Sequence, residues 1–456
     1  MSLRSFIAKA QEAGYLVTIA KEVDPYLEMA RVINALDGQP VLFTRVKGSP
    51  YQVVSGICSA REYFALDLGT ALLRRIDQSQ LVFALAQALG NPVAPQMVAS
   101  APCQEVVEEE VDLNTLPILT HLPDDGGPYV TAGVVIVKDP DHGRNMCFHR
   151  LMRIGPRQFA ARIVEGRGTD TALQKTSGEL EVAICLGNSI PVLLAAAMSP
   201  PKGVDELSIA NALRPTPLVK CRTVDLEVPA DSEFVLEGRI TRRMVSEGPF
   251  IDLTETWDMV RQQPVIEIDC LTHRRDAIYH ALLPGRLEHK LLMGMPREPT
   301  IYAAVSQVCQ CKNVLITPGG MSWLHAVVQI VKQAPDDGRK AIAAAFRGHT
   351  SLKHVVVVDE DVDLFNPAEV EWAIATRFQA DRDLVVLEDQ PSSSLDPSAI
   401  HIPGQKTRTS KMGLDATIPW YKPTGELRTR EEREGFKKVG YGEIDIAVYR
   451  ASGANR

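Results

Sequence analysis

Residues 129–154 read YVTAGVVIVKDPDHGRNMCFHRLMRI, and the way this stretch folds decides the architecture around it. Its first ten residues are rich in Val, Ile, Thr and Tyr, side chains that fit a pleated, half-buried surface. Asp139–Gly143 concentrates turn formers, and the return run from Asn145 to Ile154 is apolar again with polar residues between. Two such runs around a short turn predict a β-hairpin.

Outward from the hairpin, β-like sequence continues to about residue 290. VKCRTVDLEVPADSEFVLEGRI (219–240) repeats the pattern of short strand, turn and strand, while DELSIANAL (205–213) predicts a helix with Asp205 as its N-cap. On the N-terminal side, QLVFALAQALG (80–90) has helical spacing and stops at Gly90-Asn91-Pro92. The acidic run EVVEEEVDL (105–113) and the Pro/Gly-rich stretch 123–128 then mark a boundary. Beyond residue 300 the pattern alternates. NVLITPGG, HVVVVDEDVD and LVVLED predict strands, and LHAVVQIVKQ (324–333), RKAIAAAFRG (339–348) and PAEVEWAIATRF (367–378) predict helices. The tail from 390 shows little regular periodicity. The expectation is an α+β, α/β multidomain chain in three parts: an N-terminal region over 1–105, a β-rich domain over 106–300 and a C-terminal α/β domain over 301–456.

Composition narrows the class. The 456 residues carry 49 Lys+Arg against 57 Asp+Glu, a net charge of −8, which argues against a general nucleic-acid or anionic-membrane surface. No uninterrupted apolar run approaches the ~18 residues of a spanning helix. The N-terminus, MSLRSFIAKAQEAGYLVTI, is amphipathic and lacks a signal-peptide core, so the expectation is a cytoplasmic protein without a membrane span. Of eight cysteines only Cys309 and Cys311 are close, and one CxC without a second pair is weak zinc evidence; reduced, buried thiols are the expectation.

Four segments carry polar groups into this apolar background. Asn145 and Arg150 lie five apart, so on a regular strand they face opposite sides unless a bulge re-aims one of them; taken alone, they read first as a turn Asn and a strand-end Arg. Arg162, Arg167 and Gly168 suit a phosphate by guanidinium forks and close backbone approach, or form a plain solvated loop. Asp205-Glu206 reads as helix capping first and metal ligation second. In Glu247-Gly-Pro-Phe-Ile-Asp252 the Gly-Pro turn lets two carboxylates converge, which in a partly buried site suits proton transfer, or they are two solvated acids on a surface turn.

Taken together, in this order and with YVTAGVVIVKDP, EGPFID, RDAIYHALLPGR and KHVVVVDEDVD between and beyond them, the segments resemble the UbiD-like decarboxylases from about Pro117 through Asp363. The resemblance implies a flavin-reductase-like split β-barrel holding prenylated FMN, joined to an α/β oligomerisation domain. It implies Arg150, Glu247 and Asp252 as the catalytic set, with the proton donor open between the two acids. Phe148, His149, Arg150, Arg162, Ile163, Val164, Arg167, Gly168, Met198 and Lys353 match cofactor-contacting positions. Asn145 and Glu206 match ligands of a divalent cation, Mn²⁺ by its oxygen-rich donors, and the resemblance leaves room for K⁺. Many relatives carry a further histidine ligand where Gly166 stands, so the ion is held less completely, by phosphate, water or Glu165.

The activity so implied is a reversible, non-oxidative decarboxylation of an aromatic or heteroaromatic acid through a covalent adduct with the prenylated flavin, a carboxylic acid then protonating the carbon that lost CO₂. A flavin prenyltransferase would supply the cofactor, and the chain would form dimers or hexamers. His289 and Arg297 read either as structural partners or, spaced as in the furan-dicarboxylate branch, as groups that reach a second anionic group of the substrate; furan-2,5-dicarboxylate is the first expectation, with pyrrole-2-carboxylate and hydroxybenzoates as alternatives. Two rivals use the same fold: a flavin oxidoreductase, which leaves the Arg150–Glu247–Asp252 set unexplained, and a non-catalytic flavin-binding subunit, which has no need to keep all three.

Overall fold

In the computed structural model, which describes residues 2–68, 80–402, 405–440, 442, 444, 445 and 449, the run Val134–Asp139 pairs antiparallel with Gly143–Phe148, as the hairpin reading predicts. The ribbon then breaks. Residues 131–133 and 149–150 leave the ladder, and beyond them Tyr129–Val130 pairs with Leu151–Gly155. Gly133 sits at the bend because a Cβ there would press on Val130 and Ile184 at 3.0 and 3.1 Å. The break also answers the facing problem of Asn145 and Arg150, since they lie on either side of it.

The two halves of the ribbon occupy opposite ends of one nine-stranded antiparallel sheet. Its order is 129–130, 151–155, 158–161, 261–273, 234–247, 180–186, 134–139 and 143–148, with 106–108 added alongside 261–273. Among the described residues no ladder joins the two ends, so hydrogen bonds do not close this sheet into a barrel. Its long central strands, Phe234–Glu247 and Arg261–His273, shift register twice, and such bulges increase coiling. At the first shift Gly238 lies so close to the neighbouring strand that a Cβ would fall 1.9 Å from the Glu267 carbonyl oxygen.

Both faces of the sheet are buried, each by its own set of alternating side chains. Val134, Ile136, Ala183 and Cys185 pack under helices Arg61–Leu68, Leu81–Gly90, Ile190–Ala197 and Glu206–Leu213. Val135, Val137, Val182 and Ile184 pack with Val41, Phe43 and Val53 of a small N-terminal sheet. That sheet runs 17–19, 41–43, 52–55 and takes Ile278–His280, far away in sequence, as its fourth strand.

The C-terminal region is α/β, with strand order 310–316, 325–331, 354–359, 408–415, 384–391; the three inner strands are parallel and both edges antiparallel. Helices Asp337–Gly348 and Pro367–Arg377 form where expected. Two expectations fail. LHAVVQIVKQ is the strand His325–Val331, where β-branched residues and near-alternating burial outweigh an apolar spacing that also fits a helix. Arg408–Asp415, in the tail read as irregular, is a strand of the same sheet, paired on both sides and so specified by tertiary contacts. Among the described residues no helix is long and apolar enough to cross a membrane, and all eight cysteines are free.

Glu288 ties these parts to the helix that reaches the functional site. It lies in helix Leu287–Gly294, and its buried carboxylate accepts the backbone N–H groups of Gly56 (2.7 Å) and Cys58 (3.1 Å) and lies 3.1 Å from His280 Nε2. Removing that carboxylate strands several buried donors at once, each costing about 1–3 kcal/mol. Glu288→Ala is therefore expected to lower stability by about 3 kcal/mol or more, read as a shift of the urea midpoint, with Glu288→Gln losing less; an unchanged midpoint for the alanine variant would contradict this anchoring role.

Candidate active site

The site grows out of the break in the ribbon. Leaving the ladder at His149 lets Arg150 turn toward the far ends of the two long strands, where Ser246-Glu247 pairs with Arg261-Gln262. There the Gly248-Pro249 turn leads into a small hairpin, Phe250–Ile251 against Trp257–Asp258, which swings Asp252 and Asp258 back over the arginine. The Arg150 guanidinium grips Glu247 with two parallel bonds, Nε to Oε1 at 2.8 Å and Nη2 to Oε2 at 2.9 Å. Its Nη1 donates to Asp252 at 2.8 Å and reaches Asp258 at 2.9 Å. Phe250 lies under the guanidinium, 4.7 Å from ring centroid to Cζ.

Burial opposes the charge on Arg150, but the hydrogen bonds and fields of these acids hold its pKa above the usual arginine value. The acids differ in access: the Glu247 side chain is 0% exposed, and that of Asp252 is 18% exposed. Glu247 also accepts a bond from the Tyr129 hydroxyl at 3.1 Å. Burial, and after it the Glu247 charge, pushes the tyrosine pKa well up, so this phenol stays a donor. Asp258 was absent from the sequence-derived set. Burial works against its charge, yet Arg150 and Arg261 keep its carboxyl below the ordinary range. Only the cross-strand register Phe250↔Asp258 could have revealed it.

His289 joins this group from helix 287–294, near enough for Asp252 and Arg150 to act on it. Burial lowers its pKa, so the ring is neutral at pH 7, and its Nδ1 accepts the Gly285 N–H at 3.1 Å. The proton therefore sits on Nε2, which is left as a donor. Arg297 stands eight residues further on, in the short turn beyond the end of that helix, with its guanidinium 5.4 Å from the Trp323 ring centroid.

The other sequence-derived positions line the strand 143–148 and its neighbours. Glu206 opens helix 206–213, capped by Asp205 as expected, and its Oε2 accepts the Met146 N–H at 3.0 Å. Burial raises its pKa to about 8. Asn145 faces the start of helix Gly168–Lys175 so closely that a Cβ on Gly168 would lie 2.2 Å from its Oδ1. Gly166 has φ +72. Glu165 is exposed and turned to Arg162, 3.7 Å away.

Phe148 is half-buried and Met198 buried in one core. His149 is buried, with Nε2 2.9 Å from the Thr169 hydroxyl, and burial lowers its pKa to about 4. Arg162 is a largely buried cation whose pKa is lowered by burial and by Arg261 beside it. Ile163 is buried with its N–H on Gln263, Val164 and Arg167 are exposed, and Lys353 pairs with Asp396 at 3.0 Å in the C-terminal region. Among the described residues no three His, Cys, Asp or Glu side chains cluster as metal ligands.

Comparison with known proteins shows the family. Models of the 3-octaprenyl-4-hydroxybenzoate carboxy-lyase N-terminal, Rift-related and C-terminal domains match residues 7–89, 96–287 and 290–416. The anhydromevalonate phosphate decarboxylases of Methanosarcina mazei and Methanothermobacter thermautotrophicus are 44% and 42% identical, each over 91% of this chain and 96% and 97% of their own lengths. Among solved structures, the UbiD-class enzyme HmfF from Pelotomaculum thermopropionicum in complex with FMN is 39% identical, with a TM-score of 0.91 over 99% of this chain and 100% of that one. An evolved dimeric form of HmfF in complex with prFMN is 38% identical, with a TM-score of 0.85 over 98% of this chain and 100% of that one. With all three domain models matched in order across most of its length, and relatives of this identity, the chain belongs to the UbiD family of carboxy-lyases and is a decarboxylase.

Proposed function

We propose that the chain decarboxylates an unsaturated or aromatic carboxylic acid with prenylated FMN, reversibly and without net oxidation. The observation that carries this reading is the Arg150 cluster, in which one acid is sealed and another is open. The residues present fit the cofactor: Arg162 is a buried cation beside Arg150 and Arg261 that suits an electron-rich or anionic partner. The start of helix 168–175, bare of Cβ at Gly168 and facing Asn145, suits a phosphate. They fit a divalent cation as well, because the buried Glu206 carboxylate beside Asn145 is held protonated at pH 7 unless a positive charge joins it. Asn145 and Glu206 would supply oxygen ligands, suited to Mn²⁺, with phosphate or water completing the set. The bent, two-ended ribbon supports reading the nine-stranded sheet as a split barrel.

When bound, the prenylated ring supplies the electron sink that no side chain offers. Arg150 balances charge as a substrate carboxylate becomes neutral CO₂, held in place by the Glu247 fork. Asp252 is the better proton donor, since it is the more exposed of the two acids and holds Arg150 through one oxygen. Neutral His289 donates from Nε2 to the substrate. A flavin prenyltransferase would provide the cofactor, and a cytoplasmic homo-oligomer, dimeric or hexameric, is the expected state. Furan-2,5-dicarboxylate, the sequence-based first choice, and the substrate that names the relatives share a carboxylate conjugated to a double bond and a second anionic group. We take that shared chemistry as the substrate class.

Asp252→Asn and Glu247→Gln are each expected to reduce kcat by ~10²–10⁴, and Glu247→Gln also to lower the thermal midpoint because it weakens the buried fork on Arg150; near-normal turnover by cofactor-loaded Asp252→Asn would overturn its assignment. Protein produced without a flavin prenyltransferase and loaded with plain FMN is expected to release no CO₂ from a panel of furan, pyrrole, hydroxybenzoic and enoic acids. Full activity with unmodified FMN would contradict the reading.

A further inference from the structure

The loop that carries Asp252 is short and tied by its own backbone. The Asp252 N–H donates to the Thr256 carbonyl at 3.1 Å, and the Glu255 N–H to the Asp252 carbonyl at 2.9 Å. Leu253 is buried, and its N–H donates to Asp252 Oδ1 at 2.6 Å, while Oδ2 accepts from Arg150. Glu255 closes the turn at φ +60. That left-handed region is unfavourable for a residue with a Cβ, and glycine would adopt it freely. A glutamate persists there where its surroundings hold it.

What holds it is the helix that carries His289. Glu255 Oε1 pairs with Lys290 Nζ, and its Oε2 lies 3.4 Å from Arg286 Nη1. The Lys290 side chain is 11% exposed, so this pair is only weakly screened by water and salt. Among the described residues neither base forms an ion pair with another carboxylate; the nearby Asp37 accepts the Leu287 N–H at 3.1 Å. The backbones are close as well. A Cβ on Gly285, itself at φ +71, would lie 3.2 Å from Glu255 Cγ and 3.3 Å from the Asp252 carbonyl oxygen. The N–H of the same glycine donates to His289 Nδ1. The corner 285–290 therefore meets the Asp252 loop and orients the His289 ring together.

We propose that Glu255 is a positioning residue, a latch that fastens the Asp252 loop to helix 287–294 and so sets where Asp252 stands relative to His289 and Arg150. Without it the hairpin keeps its strand pairing and its buried Leu253, so the fold survives while the carboxylate loses its fixed place. A proton donor works only within hydrogen-bond reach of the atom it protonates, so a shift of about 1 Å slows the reaction while substrate still binds. The effect on rate rests on the proposed role of Asp252 as proton donor; the ion pairs and the backbone conformation do not.

Two variants test the latch. Glu255→Gly removes it and relieves the backbone at once, whereas Glu255→Gln keeps the reach and an acceptor for Lys290. Amide hydrogen exchange of flavin-loaded full-length protein, followed by mass spectrometry, reads the loop without turnover. Residues 252–256 of Glu255→Gly are expected to exchange about tenfold faster or more, with exchange elsewhere and the thermal midpoint unchanged, and Glu255→Gln to stay near wild type. In the prenylated holoenzyme Glu255→Gly is expected to lower kcat by ~10- to 100-fold with KM little changed. Glu255→Gln should recover most of that loss, and the glycine effect should vanish when Asp252→Asn is already present. Unchanged loop exchange in Glu255→Gly, equal kcat losses in the two variants, or an undiminished effect in the Asp252→Asn background would overturn the latch. Faster exchange throughout the sheet with a lowered thermal midpoint would overturn it too, as the mark of a merely structural residue. Faster loop exchange in Glu255→Gly together with wild-type turnover by Asp252→Asn would fail the donor reading alone.

Discussion

A guanidinium buried at the break of a β-ribbon is the constraint on which the site depends. Arg150 cannot leave the ladder toward the interior unless acids meet it, and Glu247, Asp252 and Asp258 all do. Each comes from a different part of one β-excursion: the end of a long strand, the loop after its turn, and the returning strand. Arg150 therefore fixes the conformation of that excursion as firmly as the acids fix Arg150. Removing one partner from such a group leaves buried charge unpaired, which costs several kcal/mol. The geometry that would serve proton transfer is thus also what the local fold requires.

Two kinds of positive site follow from where the counter-charges lie. At Arg150 they come from the chain itself, so the arginine is held rigid and its acids divide into a sealed one and an open one. At Arg297 no acid forms an ion pair among the described residues, and Trp323, His349 and Lys411 stand near the guanidinium. The arrangement at Arg150 suits preorganised chemistry. Helix 287–294 carries His289 to the first and leads to Arg297, and Glu288, next to His289, is locked onto the N-terminal region through Gly56 and Cys58. One short helix thereby sets the spacing between the two sites.

Much of this was legible in the sequence, for local reasons. The β-hairpin at 134–148, the capped helix at 206 and the crossover helices at 337 and 367 follow from periodicity, turn residues and caps. What was hidden depends on contacts distant in the chain. No periodicity shows that the ribbon breaks at 131–133 and 149–150, because the break is enforced by Gly133 packing on Ile184 and by acids about a hundred residues downstream. Asp258 was invisible for the same reason, and His325–Val331 misled because an apolar run fits both helix and strand until its partners are known. Lys353, matched to a cofactor position, pairs with Asp396, a partner that spacing could not name.

The division of labour between the two acids is the centre of this account, and pre-steady-state release of CO₂ tests it most directly. With an unsaturated acid in excess over the prenylated holoenzyme, Asp252→Asn should release CO₂ in one rapid event per active site and then stall, because loss of CO₂ precedes the proton that Asp252 supplies. Glu247→Gln, in which the fork on Arg150 is weakened, should slow the rapid event itself. Continued turnover by Asp252→Asn at the wild-type rate, or a normal release and stall in Glu247→Gln instead, would contradict the assignment.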